Sequence, residues 1–195
     1  VYFKGTVSIE AITVSNLQGS ATAQTTFAVW PGSTFTISSA SIVNVLSSVS
    51  YLTIDGWKQT GNKEASGTEA FVVAGNNVTL SNITCDRVMN GMCILFSSGR
   101  GLIVDNLIST SSSEAVIRVS ESAQNATISD VTVTGWAGYS GDPGEGIINI
   151  DGPGVTITNA SFANLTNGTP IHIATNNVTV TDSTFTSGGG ENMGV

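Results

Sequence analysis

His172 is the only histidine in the chain, and imidazole is the side chain whose unperturbed pKa best suits proton transfer near neutral pH. Its useful company comes from repetition rather than from neighbours in sequence. His172 lies in PIHIAT (170–175), Asn149 in GIINID (146–151) and Arg118 in AVIRVS (115–120). These are three short apolar–polar alternations, and the three residues share one outward position in them. Stacked as strands ~4.8 Å apart, they form a polar stripe on three consecutive coils. His172, Arg118 and Asn149 are therefore the candidate catalytic set. His172 is the acid/base, Arg118 holds an anionic substituent, and Asn149 lies between them.

Aromatic side chains add a candidate substrate surface. Trp57, Trp136 and Tyr139 fall at or in the two longest irregular stretches, WKQTGNKEASGTE (57–69) and WAGYSGDPGEG (136–146). Aromatic faces stack on sugar rings, and loops on a rigid scaffold carry binding. Asp55 and Asp105 share another column two coils apart, ~10 Å by the same spacing. That separation is too wide for a retaining carboxylate pair and marginal for an inverting one, so they read first as turn carboxylates. No metal site is expected and no cofactor is implied. Asp142, Glu145 and Asp151 cluster near the second loop and could hold Ca²⁺, although no EF-hand or glycine–aspartate repeat supports it there.

The rest of the composition limits what must position these groups. A chain of 195 residues builds one sizeable core. Only 10% of residues are charged. Gly, Ser, Thr and Asn supply the polarity, which favours short strands and turns over helices. A net charge of −8 opposes binding to nucleic acid. No apolar run is long enough for a membrane span. The chain opens with neither an initiator Met nor a charged and then apolar leader, so it reads as a processed or excised piece of something longer. Cys85 and Cys93 are too few for a disulfide framework. They read as one buried thiol and one half-buried thiol, with a local disulfide as the alternative in a secreted protein.

Internal repetition is the dominant signal. The template NVTLSNITC (77–85) recurs as YLTIDGWKQ (51–59), GLIVDNLIS (101–109), NATISDVTV (125–133), GVTITNASF (154–162) and NVTVTDSTF (177–185). A weaker copy is TFTISSASI (34–42) and a fainter one spans Val7 to Val14. Columns two and four are apolar, while three, five and eight are mostly hydroxyl or acidic residues. Column six reads Gly56, Asn82, Asn106, Asp130, Asn159, Asp182, with Ser39 in the weak copy. The switch there marks a bend between two strands, where Asn or Asp accepts a left-handed backbone and can stack as a side-chain ladder. A third strand precedes each copy: AFVVAG (70–75), MCILFS (92–97), AVIRVS, GIINID and PIHIAT, with FAVW (27–30) as an earlier example. Its second outward column, Ala70, Cys93, Val116, Ile147 and Pro170, is expected to add an apolar patch to an exposed face. Asn-x-Ser/Thr sequons begin at Asn77, Asn82, Asn125, Asn159, Asn164, Asn167 and Asn177, and the repeat itself accounts for most of them.

SYLTIDG (50–56), the NVTLSN and NVTVTD runs and the Asn-rich sixth column resemble the right-handed parallel β-helix of the pectin-lyase-like superfamily, across nearly the whole chain and more loosely before residue 33. The resemblance implies an all-β solenoid of about seven to eight coils with three short strands each. It implies an extracellular or virion-surface module that binds polysaccharide and, in enzymatic members, degrades it as a lyase or glycoside hydrolase. The alternative within the same fold is a non-catalytic spike, fibre or stalk. Low charge, the end of the chain partway through a coil and the apolar outward column point to a homo-oligomer, such as a trimer, or a larger assembly.

Overall fold

In the four coils that begin at Asn77, Gly101, Asn125 and Gly154 the backbone turns left-handed at intervals of five residues. The computed structural model describes residues 1–9, 11–37, 42–60, 69–88, 91–112, 115–136, 146–166 and 169–187. Ser39, Tyr139, Asp142, Glu145, Asn167 and residues 188–195 lie outside that set. Every member of column six has positive φ: Gly56, Asn82, Asn106, Asp130, Asn159 and Asp182. So does every member of column one, namely Tyr51, Asn77, Gly101, Asn125, Gly154 and Asn177. A third set follows five residues after the bend, at Arg87, Ser111, Gly135 and Asn164. An ordinary L-residue loses about 1–2 kcal/mol in this conformation, and Gly, Asn and Asp lose least. Six of the seven sequon asparagines occupy these bends, so backbone geometry explains the sequons.

Between the bends the chain is extended, and each coil pairs in parallel with the next. The first strands stack in the order Tyr2–Phe3, Thr25–Val29, Ser50–Asp55, Asn76–Asp86, Ile103–Thr110, Thr127–Thr134, Val155–Thr158 and Val178–Thr181. Asn76–Asp86, Ile103–Thr110 and Thr127–Thr134 run through the bend and also supply the second strand. The third strands form a separate seven-stranded sheet, from Ile12–Val14 through Val43–Val45, Phe71–Val73, Ile94–Phe96, Ile117–Val119 and Gly146–Ile150 to Thr169–Ile173. The protein is thus an all-β parallel solenoid without helices among its described residues.

The apolar columns face inward. Leu52, Val78, Leu102, Ala126 and Val155 are buried, as are Ile54, Leu80, Val104, Ile128 and Ile157. Each larger aliphatic side chain contributes on the order of 1.5–3 kcal/mol by leaving water. Near the amino-terminal end the core becomes aromatic. The Phe35 and Trp57 rings lie 4.2 Å apart and tilted by 31°, Phe3 lies 4.5 Å from Phe35, and Phe71 lies 6.4 Å from Trp57.

Three expectations need correction. FAVW belongs to the first strand, since Phe27 pairs with Ile54. TFTI belongs to the second, since Phe35 pairs with Trp57. Both strands share one apolar–polar alternation, so a copy can slide by one strand without disturbing the pattern. The third strand of that coil is Val43–Val45. Second, Trp57–Thr60 is itself a strand, so the first long excursion starts after it. Third, Ala70, Cys93, Val116, Ile147 and Pro170 are buried, and the first four belong to the main hydrophobic cluster with Val88, Trp136 and Leu165. They begin the third strand at a corner, where side chains turn into the core. These five residues therefore do not form an exposed apolar patch, while Val72 and Leu95 beside them are half-buried.

Cys85 and Cys93 form a disulfide across this corner, with Cα atoms 6.1 Å apart and both residues buried. Of the two readings open at the sequence level, the cross-link is the one realised.

The column-six side chains form a directional ladder. Asn82 Nδ2 donates to Asp55 Oδ1 on the coil below (2.6 Å), and Asn106 Nδ2 donates to Asn82 Oδ1 (2.7 Å). Asn159 Nδ2 donates to Asp130 Oδ1. Asp130 lies opposite Asn106 in the strand register, yet its carboxylate has no N–H to give. Asp130→Asn is expected to complete the ladder and raise stability by about 1 kcal/mol, read as a higher urea midpoint. A lower midpoint would show that the ladder is not what orders the bend. Asn82→Ala should cost about 2 kcal/mol, and Asn82→Gly less, because glycine keeps the left-handed backbone.

Candidate functional site: a polar cleft beside the third-strand column

The expected stripe is in register. Leu95 pairs with Arg118, Arg118 with Asn149, and Asn149 with His172. Three residues from three separate repeats therefore stand on successive strands of one sheet, spaced ~4.8 Å apart. Their environments differ. Arg118 and His172 are half-buried, whereas Asn149 is 3% exposed.

Asn149 faces its own strand's beginning. Its Oδ1 accepts the backbone N–H of Gly146 at 2.7 Å. Gly146 packs against His172 so closely that an added Cβ would lie 2.7 Å from the His172 nitrogen and 2.9 Å from its Cβ. Asn149 therefore ties down the backbone on which the His172 strand rests. The geometry makes it a positioning residue, with little surface left to meet a substrate.

Arg118 Nε donates to Asp151 Oδ2 at 3.1 Å. The two residues line an open cleft of about 380 Å³ together with Ser120, Glu121 and Ser122. A backbone turn and a coil-to-coil pairing hold the backbone beside it. Ala123 N–H bonds the Ser120 carbonyl at 2.8 Å, and the N–H groups of Asp151 and Gly152 bond the Val119 carbonyl at 2.8 and 3.1 Å. The two touch at Gly152, where a Cβ would stand 2.0 Å from the Ala123 carbonyl oxygen and 2.5 Å from that of Ser120. Only glycine lets the strand carrying Asp151 approach the turn carrying Glu121. The cleft thus gathers one guanidinium, two carboxyl groups and two hydroxyls. Glu121, Ser120 and Ser122 escaped the sequence reading because they sit between repeats, where no column marks them. Gly152, a glycine straight after a third strand, is the signal that would have found the turn.

The aromatic expectations resolve differently. Trp57 is enclosed by Phe3, Phe35 and Phe71, and Trp136 is buried in the same hydrophobic cluster. Neither presents an open ring face, because both indoles fill inward positions of the coil. Tyr139 lies outside the described residues. Among the described residues, the exposed aromatics are Tyr2 and Trp30 instead.

Asp55 and Asp105 act as bend acceptors, Asp55 for Asn82 and Asp105 for Ser129 Oγ at 3.1 Å. Among the described residues, no three His, Cys, Asp or Glu side chains gather as a metal-binding group, and Asp142 and Glu145 lie outside them. No helix among these residues is long and apolar enough to cross a membrane. No family model, curated protein or solved structure matches the chain.

Asn149→Ala should strand the buried Gly146 N–H and lower stability by about 1–3 kcal/mol. Asn149→Asp, which keeps the acceptor, should lose less. Equal losses in thermal melts would show that the Gly146 contact is not the reason for Asn149. Gly152→Ala should perturb the cleft more than any single lining substitution, visible as amide shifts at residues 118–123 in NMR spectra.

Proposed function

We propose that this chain is an extracellular or virion-surface β-helix module, of right-handed pectin-lyase-like type, that binds acidic polysaccharide along its third-strand face. One observation carries the reading: Arg118, Asp151, Glu121 and the Ser120 and Ser122 hydroxyls line one open cleft on the sheet that also presents His172. A glycan offers hydroxyls to the carboxylates and serines, and an acidic sugar offers its carboxylate to Arg118. Arg118 stands on a paired strand, and the other groups sit on hydrogen-bonded backbone directly after such strands, so little backbone ordering is needed on binding. For glycosidic cleavage, His172, on the same sheet but outside the cleft lining, would be the acid/base, with the Asp151 and Glu121 carboxyl groups of the cleft beside it. Arg118 orients Asp151 through their ion pair.

The full chain is expected to be retarded in affinity electrophoresis through gels containing polyuronate, and Arg118→Gln should weaken that retardation. Lack of retardation by any of a panel of uronic-acid polymers would refute the binding reading. Any cleavage activity should fall about 100-fold in His172→Ala. Unchanged turnover would remove His172 from the mechanism without touching the binding reading.

A second reading, a non-catalytic structural or adhesive spike, is favoured by a different observation. Ile103 and Ile108 are both exposed on one coil, either side of the Asn106 bend, and paired surface isoleucines suit a partner surface. It predicts a stable trimer or larger oligomer. Light scattering that finds a monomer at micromolar concentration would count against it.

A further inference from the structure

The chain has three tryptophans. Two are core, and the third, Trp30, is 46% exposed and absent from the hydrophobic cluster. Tyr2, 64% exposed, stands beside it, with ring centroids 5.6 Å apart and planes at 82°. Lys4 Nζ lies 5.9 Å from the Trp30 ring centre. Large aromatics left in water forgo the stabilisation that burial would bring, and nothing in the packing of the coils requires these two.

The local backbone holds them in place. Tyr2 pairs with Ala28 and Phe3 with Val29 in the first-strand ladder, and Trp30 N–H bonds the Phe3 carbonyl at 2.8 Å. Trp30 opens a tight turn through Pro31 and Gly32, closed by Ser33 N–H to the Trp30 carbonyl at 2.9 Å. Proline followed by a glycine at φ +77° is the signature of a type II turn. The turn is fastened to the coil below by Gly5 N–H to Ser33 Oγ (2.9 Å) and Thr34 N–H to the Gly5 carbonyl (3.1 Å). Both aromatic residues are thus carried on backbone that is already ordered.

We propose that Tyr2, Trp30 and Lys4 form a second carbohydrate-binding site, a ledge that stacks one sugar ring of an acidic glycan and takes the sugar's carboxylate on Lys4. An aromatic ring beside a cation is complementary to a pyranose with an apolar C–H face and a charged edge. In a chain of net charge −8 with six Lys and Arg residues, a lysine against an open indole is a local reversal of charge. In the free protein the ammonium rests over the indole. A bound sugar ring displaces it to the edge, where it meets the carboxylate. The ledge lies on first-strand coils, away from the third-strand cleft. It rests on the glycan reading above and adds a separate contact point for the same class of ligand.

Because Trp57 and Trp136 are buried and out of a ligand's reach, a ligand-induced change in tryptophan emission reports mainly on Trp30. Titration with a hexasaccharide of galacturonic acid should give a saturable change in wild-type emission. Trp30→Ala should abolish that change and weaken affinity about tenfold by calorimetry. Tyr2→Ala should weaken it in the same direction, and circular dichroism melts check that both variants fold. Lys4→Gln should weaken the charged hexasaccharide while leaving a glucose hexasaccharide unaffected. Wild-type binding that Trp30→Ala and Tyr2→Ala leave within twofold overturns the ledge and leaves the cleft standing. Binding lost in Trp30→Ala but untouched by Arg118→Gln and His172→Ala supports the ledge and overturns the cleft. No binding of either hexasaccharide to the wild type overturns both.

Discussion

Everything in this molecule depends on in-register parallel stacking of coils that bend at the same three places. A coil bends where a residue adopts left-handed backbone, and such backbone is tolerable only for a few residue types. When one coil bends at Asn82, the next must bend at Asn106, because the strands on either side pair residue for residue. The amides at those bends then lie within reach of one another and form the ladder from Asp55 through Asn82 to Asn106. Bend chemistry and strand register therefore reinforce each other. Column six is accordingly structural, and the residues of functional interest lie elsewhere.

The same stacking makes columns into sites. It brings Arg118, Asn149 and His172 onto neighbouring strands although 54 positions separate the first from the last. Stacking alone does not give the three residues equal roles. Asn149 is drawn into the backbone support of Gly146, and Arg118 is engaged by Asp151. The open polar volume forms one step to the side, where the turn after one third strand meets the connection after the next at Gly152. In a solenoid, a column supplies alignment, and the irregular connections supply concavity.

Much of the fold was legible because the alternation is simple and repeated. Inward residues of the third strands, such as Ile94 with Phe96 and Ile117 with Val119, are core in the structure. The bend column was recognisable from its asparagines. The first column is equally strict, and Asn77, Gly101, Asn125, Gly154 and Asn177 carry the same Asn/Gly signal. The amino-terminal register was misassigned for a physical reason. First and second strands present the same alternation on either side of a bend, so TFTI fits either one until its partner, WKQT, is known.

The sequence by itself determined that the chain coils, where it bends, and which residues stand in one column, because those properties follow from residue type at a fixed period. Only the tertiary structure decided which members of a column are free to act. Burial of Asn149, Trp57 and Trp136, closure of Cys85 onto Cys93, and exposure of Tyr2 and Trp30 all depend on what neighbouring coils and turns place against those side chains. Periodicity within one strand carries no record of those contacts.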